Sequence, residues 1–394
     1  MKRIEAIREH SPTPTTADLQ GSKGQRLAPL DALRGLIVVL MALDHANHFV
    51  AQRHSSGEYW GGPFPVYSPA YNDALAFLTR LVTHLCAPGF FFLMGASMVL
   101  FARSRRERGW DKWHVASHFL LRGGLLIALQ FMLVNRAWEL SPGGWTPQAY
   151  AGVLFALGGA MVLGGGLLWL EPPALLALSA ALMLGTELLT PDAGMWYHPY
   201  GAVSRLLLIP GGTRELWVNY PILPWLGLAT FGMAFGHWLV DEPRRAFERG
   251  LRLGSVFVLA FLVLRALGGF GNIRPRAGNT WIDFLNVVKY PPSITFNLLT
   301  MGLNLVVLGL FAHIEEHARR PLEALRVLGR TPLFFYLAHL FLYAGMAHLL
   351  TPGGTSIPGM VPYWLLGLLI LYPACLWYGR LKQRHPASPI LRFL

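Results

Sequence analysis

The sequence predicts an all-α, polytopic transmembrane helix bundle of about ten spans, with the N- and C-termini in the cytoplasm. Three observations carry that reading. Of 394 residues, 53% are apolar and only 14% charged, where a soluble domain carries about 25%. The apolar residues gather in runs of roughly 20, the length that crosses a hydrocarbon core. The basic residues alternate from one connection to the next, with about 22 of the 33 Lys and Arg on the side of the N-terminus.

The spans are expected near 30–50, 73–102, 114–135, 150–170, 173–190, 221–240, 251–270, 291–313, 331–350 and 361–380. Ahead of them, residues 1–27 are polar and basic and include Ser11-Pro12-Thr13-Pro14-Thr15-Thr16, a composition expected to stay disordered. Residues 28–383 form the transmembrane domain and 384–394 a short cytoplasmic tail. The first apolar segment is span-length and carries ionisable residues, so it reads as a span and not as a cleavable leader. Glu171-Pro172-Pro173 leaves only a tight turn between the fourth and fifth spans. Clusters at 103–108, 244–249, 319–320 and 380–384 mark the cytoplasmic side.

A net charge of +12 is accounted for by that placement, which leaves membrane lipids and not nucleic acid as the surroundings it fits. Cys86 and Cys375 both lie in apolar runs without zinc-type spacing, so no metal is expected. Two outer loops, 191–220 and 271–290, are aromatic, and their Trp196, Tyr197, Trp217 and Trp281 read first as interfacial anchors. Gly158-Gly159 to Gly164-Gly165-Gly166 could pack helices within one chain or between two copies as a homodimer.

The spans are not uniformly apolar. The first carries Asp31, Arg34, Asp44, His45 and His48; an ionisable group at membrane depth costs roughly 3 kcal/mol on insertion scales, so such groups are kept where they bind or react. Arg34 and His45 lie eleven residues apart and share a face, and Asp44 and His48 are an i,i+4 pair. In the second span Asp73, Arg80 and His84 share a face, and Pro88 frees the His84 carbonyl and invites a kink. Span eight opens on Lys289-Tyr290-Pro291-Pro292-Ser293 and continues a polar stripe through Asn297, Thr300 and Asn304, which suits either interhelical hydrogen bonding or a polar pathway. Span nine places Tyr336, His339 and Tyr343 on one face. His114, His118, His237 and His348 are expected at water or headgroups, and Arg265 is expected to snorkel.

These residues suggest an intramembrane active site. Histidine is the natural general base at neutral pH, and His84 and His45 are the leading candidates, with Asp44, Arg80 and His339 completing the catalytic set. Arg34, Asp31, His48, Asp73, Lys289, Ser293, Asn297 and Tyr336 are candidate substrate- or donor-binding residues. Membrane histidines and carboxylates also build proton relays, so a proton-coupled transporter or exporter of a sugar or lipid-linked intermediate is the alternative.

Five segments resemble one family. Arg26-Leu27-Ala28-Pro29-Leu30-Asp31 with Arg34-Gly35 and Asp44-His45, then Thr79-Arg80 through His84, Pro88 and Gly95, is similar to the opening of the heparan-alpha-glucosaminide N-acetyltransferase-like membrane proteins, the bacterial members above all. Pro224-Trp225, Lys289-Tyr290-Pro291-Pro292-Ser293, and Gly329-Arg330-Thr331-Pro332 with Tyr336 and His339 extend the likeness to about residue 380. The resemblance implies a multi-pass acyltransferase of the bacterial inner membrane. It would carry acetyl from cytoplasmic acetyl-CoA to an amine or hydroxyl of an extracytoplasmic glycan or amino sugar, and an intramembrane histidine would act as base or acyl carrier. The family's eukaryotic histidine falls where this sequence has Asp73-Ala74, so that role does not carry over to a matching residue.

Overall fold

The computed structural model describes residues 27–62, 73–142, 147–317, 320–385 and 388. The expected N-terminal tail and most of the C-terminal tail lie outside the described residues. Among the described residues, fifteen α-helices follow in chain order. They are α1 (Ala28–Ala46), α2 (Ala74–Thr83), α3 (Cys86–Arg106), α4 (Lys112–Leu129), α5 (Asn135–Glu139), α6 (Val153–Leu167), α7 (Pro172–Leu189) and α8 (Ala202–Leu207). Then come α9 (Ile222–Asp241), α10 (Pro243–Leu267), α11 (Trp281–Leu285), α12 (Ile294–His317), α13 (Glu323–Gly329), α14 (Pro332–Leu350) and α15 (Ile357–Arg384).

Each of the ten expected spans falls on helix. Among the described residues, eight segments are long and apolar enough to cross a membrane. The other two are α1, which carries Asp31, Arg34 and Asp44 within its 19 residues, and α6, which has 15 residues. The long helices alternate in direction. One end of the bundle, here the near end, holds the start of α1, and the far end holds its finish.

The all-helical expectation misses one feature, a three-stranded sheet in the far-end connections. Strand β1 (Ala149–Ala151) pairs in parallel with β3 (Leu216–Val218), and β2 (Gly211–Gly212) pairs antiparallel on its other side. Strands of two or three residues leave no periodicity to read.

Helix α1 is central and packs against α2, α3, α12, α13, α14 and α15. It approaches α13 closely because both sides are glycine: a Cβ on Gly35 would run into the Leu325 carbonyl, and one on Gly329 into the Asp31 carbonyl. Gly95 of α3 and Gly232 of α9 make the same kind of backbone contact, with Ala229 and Phe92. Beyond Ala46 the first helix widens into a π-turn, Asn47–Ala51, which ends at Gln52 with φ of 57°. Such π-turns recur at functional sites.

The expected break near Pro88 is present. Helices α2 and α3 part at His84 and Leu85, and Asn304 Nδ2 donates to the Leu85 carbonyl at 3.1 Å. The rest of the stripe on α12 is spent locally, with Thr300 bonding Phe296 O at 2.7 Å and Asn304 bonding Thr300 O at 2.8 Å. That is the interhelical and helix-internal use of those groups.

Arg265 does not snorkel. It is 2% exposed and donates to the carbonyls of Phe284, Asp283 and Asn286 and to Asn272 Oδ1 at 2.7–2.9 Å. It therefore pins the loop that follows α10. From that loop Arg274 reaches the carbonyls of Tyr59 at 3.0 Å and Gly57 at 2.5 Å. The Glu58 carbonyl in turn accepts from the Lys289 and Tyr290 amides at 2.9 and 3.2 Å. Two distant loops are thus laced together over the far end of α1 and α2.

Candidate active site

The near end opens into a cavity of about 1000 Å³. Arg105, Arg330 and Lys382 line it with Arg34 and Arg122, and its walls are Phe90, Leu93, Met94, Met98, Leu157 and Met161. Among the described residues no carboxylate lines it. Arg34 bonds Asp31 at 2.8 Å, Gly329 O at 3.2 Å and Ser97 Oγ at 3.1 Å. Arg122 lies within electrostatic range of Arg34, and its Nε has no partner among the described residues. His118, expected at the surface, is 6% exposed, lines the cavity and stacks on Phe101 at 4.4 Å.

Tyr336 also lines this cavity. Its ring lies 6.5 Å from that of His45 and 5.6 Å from that of His339. Those two histidines, 294 residues apart in sequence, meet at 2.6 Å between His45 Nδ1 and His339 Nε2. The partners fix the tautomers. His339 Nδ1 faces the Phe335 carbonyl at 2.9 Å, which only accepts, so the proton is on Nδ1 and Nε2 holds the lone pair. His45 must then donate from Nδ1, which leaves a lone pair on its Nε2.

Beside that pair, toward the far end, lies an ion network. Arg80, 4% exposed, reaches both oxygens of Asp44 at 2.8 Å and donates to Glu58 from Nε at 2.9 Å and from Nη2. Thr83 Oγ1 also donates to Asp44, at 2.7 Å. Asp44 meets His54 Nε2 at 3.3 Å. Burial alone would raise the Glu58 carboxyl, but Arg80, with His84, His54 and Lys289 behind it, holds it at about 2. Lys289, 3% exposed, sits over the Tyr290 ring at 5.0 Å, and burial, with Arg80 adding repulsion, brings it down to about 8.

The bundle therefore gathers Asp44, His45, Arg80, His339 and Tyr336, with His48 joined through its ring contact of 5.7 Å to His54. It holds Asp31 and Arg34 apart, at the near end. His84 is 5% exposed against the Phe296 ring, and neither ring nitrogen has a partner among the described residues. Asp73 does not join the site its helical spacing suggested. Its carboxylate accepts from the Leu75 and Ala76 amides at 2.9 Å and caps α2, which competes successfully with any contact further down the helix. Ser293 likewise accepts from the Phe296 amide at 3.1 Å at the start of α12, and Asn297 donates to Pro292 O at 3.3 Å.

Sequence reading missed Glu58, His54 and Arg122. The first two lie in a loop, where charged residues carry no signal of their own; Arg122 lay in plain view inside an apolar run. Among the described residues, the one group of histidine and carboxylate atoms close enough to share an ion is His313, Glu316 and His317, exposed on the last turn of α12.

The family model described as heparan-alpha-glucosaminide N-acetyltransferase, catalytic, matches residues 26–267. The chain belongs to this family. The match takes in Asp31, Arg34, Asp44, His45, His54, Glu58, Arg80 and His84, while Lys289, Tyr336 and His339 come from beyond it. Among curated proteins, the heparan-alpha-glucosaminide N-acetyltransferase of Mus musculus is 31% identical over 149 residues, 37% of this chain and 20% of that protein. The Homo sapiens protein of the same name is 29% identical over 133 residues, 34% of this chain and 17% of that protein. The match thus spans about a fifth of the length of these curated relatives.

Proposed function

We propose that this family member is a bacterial inner-membrane acyltransferase. It takes an acetyl group from acyl-CoA at the cytoplasmic side and delivers it to an amine or hydroxyl of an extracytoplasmic glycan or amino sugar. Ten spans with both termini inside put the near end in the cytoplasm. The observation that carries the reading is the cavity: five cations and no lining carboxylate at its near end, apolar walls within, and Tyr336 between it and a histidine pair. CoA has the matching form, a polyphosphate head on a long neutral arm that ends in the reactive thioester.

In this reading Arg34, Arg105, Arg122, Arg330 and Lys382 hold the phosphates, and the thioester lies beside Tyr336. His45, oriented by His339 as a carboxylate orients the histidine of a hydrolase, presents its Nε2 lone pair. As a base it removes the proton of the attacking acceptor and returns it to the sulfur as the C–S bond breaks. As a nucleophile it attacks the thioester carbon through Nε2, its Nδ1 proton passes to His339, and the leaving thiolate takes a proton from cytoplasmic water. Tyr336 is the oxyanion donor that fits best, because Arg80 is spent on Asp44 and Glu58 and Asn297 on Pro292. A donor of that kind is worth about 10²–10³ in rate. His84, buried with no partner among the described residues to orient its ring, is the weaker base.

The test uses the intact protein in nanodiscs with labelled acetyl-CoA and glucosamine. Saturable binding and label transfer are expected, and His45→Ala should lower transfer by about 10²–10⁴ while the thermal midpoint holds. A well-folded protein that binds no acyl-CoA would overturn the reading.

A further inference from the structure

The outer surface of the near end carries a cluster that acyl transfer does not use. His313, Glu316 and His317 stand at i, i+3 and i+4 at the end of α12, so all three share one helix face. Each offers one ligand atom, and these atoms lie within 4.8 Å of one another. All three residues are exposed, and none of them lines the cavity.

The cluster is oriented as well as close. His317 Nδ1 lies 2.7 Å from the His313 carbonyl, which only accepts, so the proton is on Nδ1 and the lone pair is on Nε2. A histidine that binds metal characteristically donates its other ring N–H in this way. The two imidazole rings stand 4.3 Å apart between centroids. Glu316 meets Arg244 Nε of α10 at 3.5 Å through Oε1, which leaves Oε2 for a cation. The carbonyls that end a helix add partial negative charge at the same place.

The donor set selects the metal. Two imidazoles and one carboxylate suit a borderline divalent ion such as zinc. They are too few and too rich in nitrogen for calcium or magnesium, which take oxygen ligands. Ligand distances of about 2.0–2.2 Å draw the three donors closer than they now stand, a closing that exposed side chains make by rotation. Three protein ligands leave the fourth position of a zinc ion to water. The expectation of no metal rested on the two cysteines alone and did not address this face.

We propose that His313, Glu316 and His317 form a zinc site on the near-end surface, separate from the cavity and from the histidine pair. The site stands without the acyl-transfer reading. Its place in the fold gives it a mechanical role. The adjacent Glu315 bonds Arg326 of α13 at 2.8 and 2.9 Å, and α13 leads to Gly329 against α1 and to Arg330 at the cavity. A metal on the last turn of α12 fastens the end from which Glu315 holds α13.

The experiment titrates zinc chloride into tag-free, full-length protein in nanodiscs and reads free zinc with a chromogenic chelator. Wild type should bind one equivalent, and magnesium should not displace it. His313→Ala and His317→Ala should each bind at least about tenfold more weakly, the loss that removing even a supporting partner of a ligand brings. The double variant should lose the equivalent altogether. Zinc should raise the thermal midpoint of wild type and leave that of the double variant unmoved. Without metal the two proteins should melt alike, because the substituted side chains are exposed. Zinc binding by the double variant as tight as by wild type, or no binding by wild type, overturns the site. None of these readings uses turnover, so a failure of the acyl-transfer reading would leave the test intact.

Discussion

At the near end of the bundle, Arg34, Arg105, Arg122, Arg330 and Lys382 surround a cavity that no carboxylate among the described residues lines. At the far end, Arg80 is clasped between Asp44 and Glu58. Both regions place permanent cations inside an apolar bundle, and they differ in how far carboxylates balance them: near-end Arg34 and Arg330 share Asp31, whereas Arg80 has both Asp44 and Glu58. The far network carries its own counter-ions and is complete as it stands, so its task is to hold geometry. The near end has a surplus of positive charge on walls that are otherwise greasy, an arrangement that suits a polyanion arriving from outside. Cations balanced by carboxylates build a site, and cations in excess of the carboxylates around them suit an anionic ligand.

The sharpest way to break this contrast is Arg80→Leu. It strands two buried carboxylates, an error worth about 3–5 kcal/mol, and it should abolish monodisperse protein in detergent or drop the thermal midpoint steeply. A stable Arg80→Leu protein would mean the far network is dispensable. Glu58→Gln is milder and depends on pH. The Glu58 carboxyl is held at about 2 against an ordinary 4.5, so its stabilisation is present above 4.5 and is lost as pH falls through 2. The gap between wild type and Glu58→Gln should be on the order of 3 kcal/mol at pH 7 and should shrink below pH 4.5; an unchanged gap at pH 3 contradicts the pairing.

At the near end, Arg122→Gln should leave folding and kcat alone and raise KM for acetyl-CoA about tenfold, one phosphate contact's worth. That penalty should fade as salt is added. An unchanged KM would mean the donor's phosphates lie elsewhere. The smallest effect belongs to Asp73→Ala, which removes a helix cap worth about 1 kcal/mol and should not touch activity. A large loss of turnover there would return Asp73 to the site.

Much of the architecture was readable because membrane spans announce themselves by length, and part of the site because ionisable residues inside an apolar run stand out. Asp44, His45, Arg80 and His339 were singled out that way, and the fold brings them together. What linear reading could not supply was the pairing, since the His45–His339 contact joins α1 to α14, 294 residues on. Glu58 and His54 escaped for a different reason: a charged residue in a polar loop is ordinary until two other loops, pinned by Arg265 and Arg274, fold it over the helices. Asp73 misled because helical spacing says which face a side chain shares, while the free amides at the helix start decide what its carboxylate does.

The glycine contacts carry a mechanical consequence. Where Gly35 meets Leu325, Gly329 meets Asp31, Gly95 meets Ala229 and Gly232 meets Phe92, backbone rests on backbone with no side chain between to act as a bearing. A helix seated so tightly has no slack for sliding or rolling past its neighbour, and α1 carries both Asp44 and His45. The cluster around Asp44 and His45 is therefore a stationary anvil: under the proposed reading, the acyl group must be brought to it by the reach of its own carrier and by loops that open, not by helices that rock.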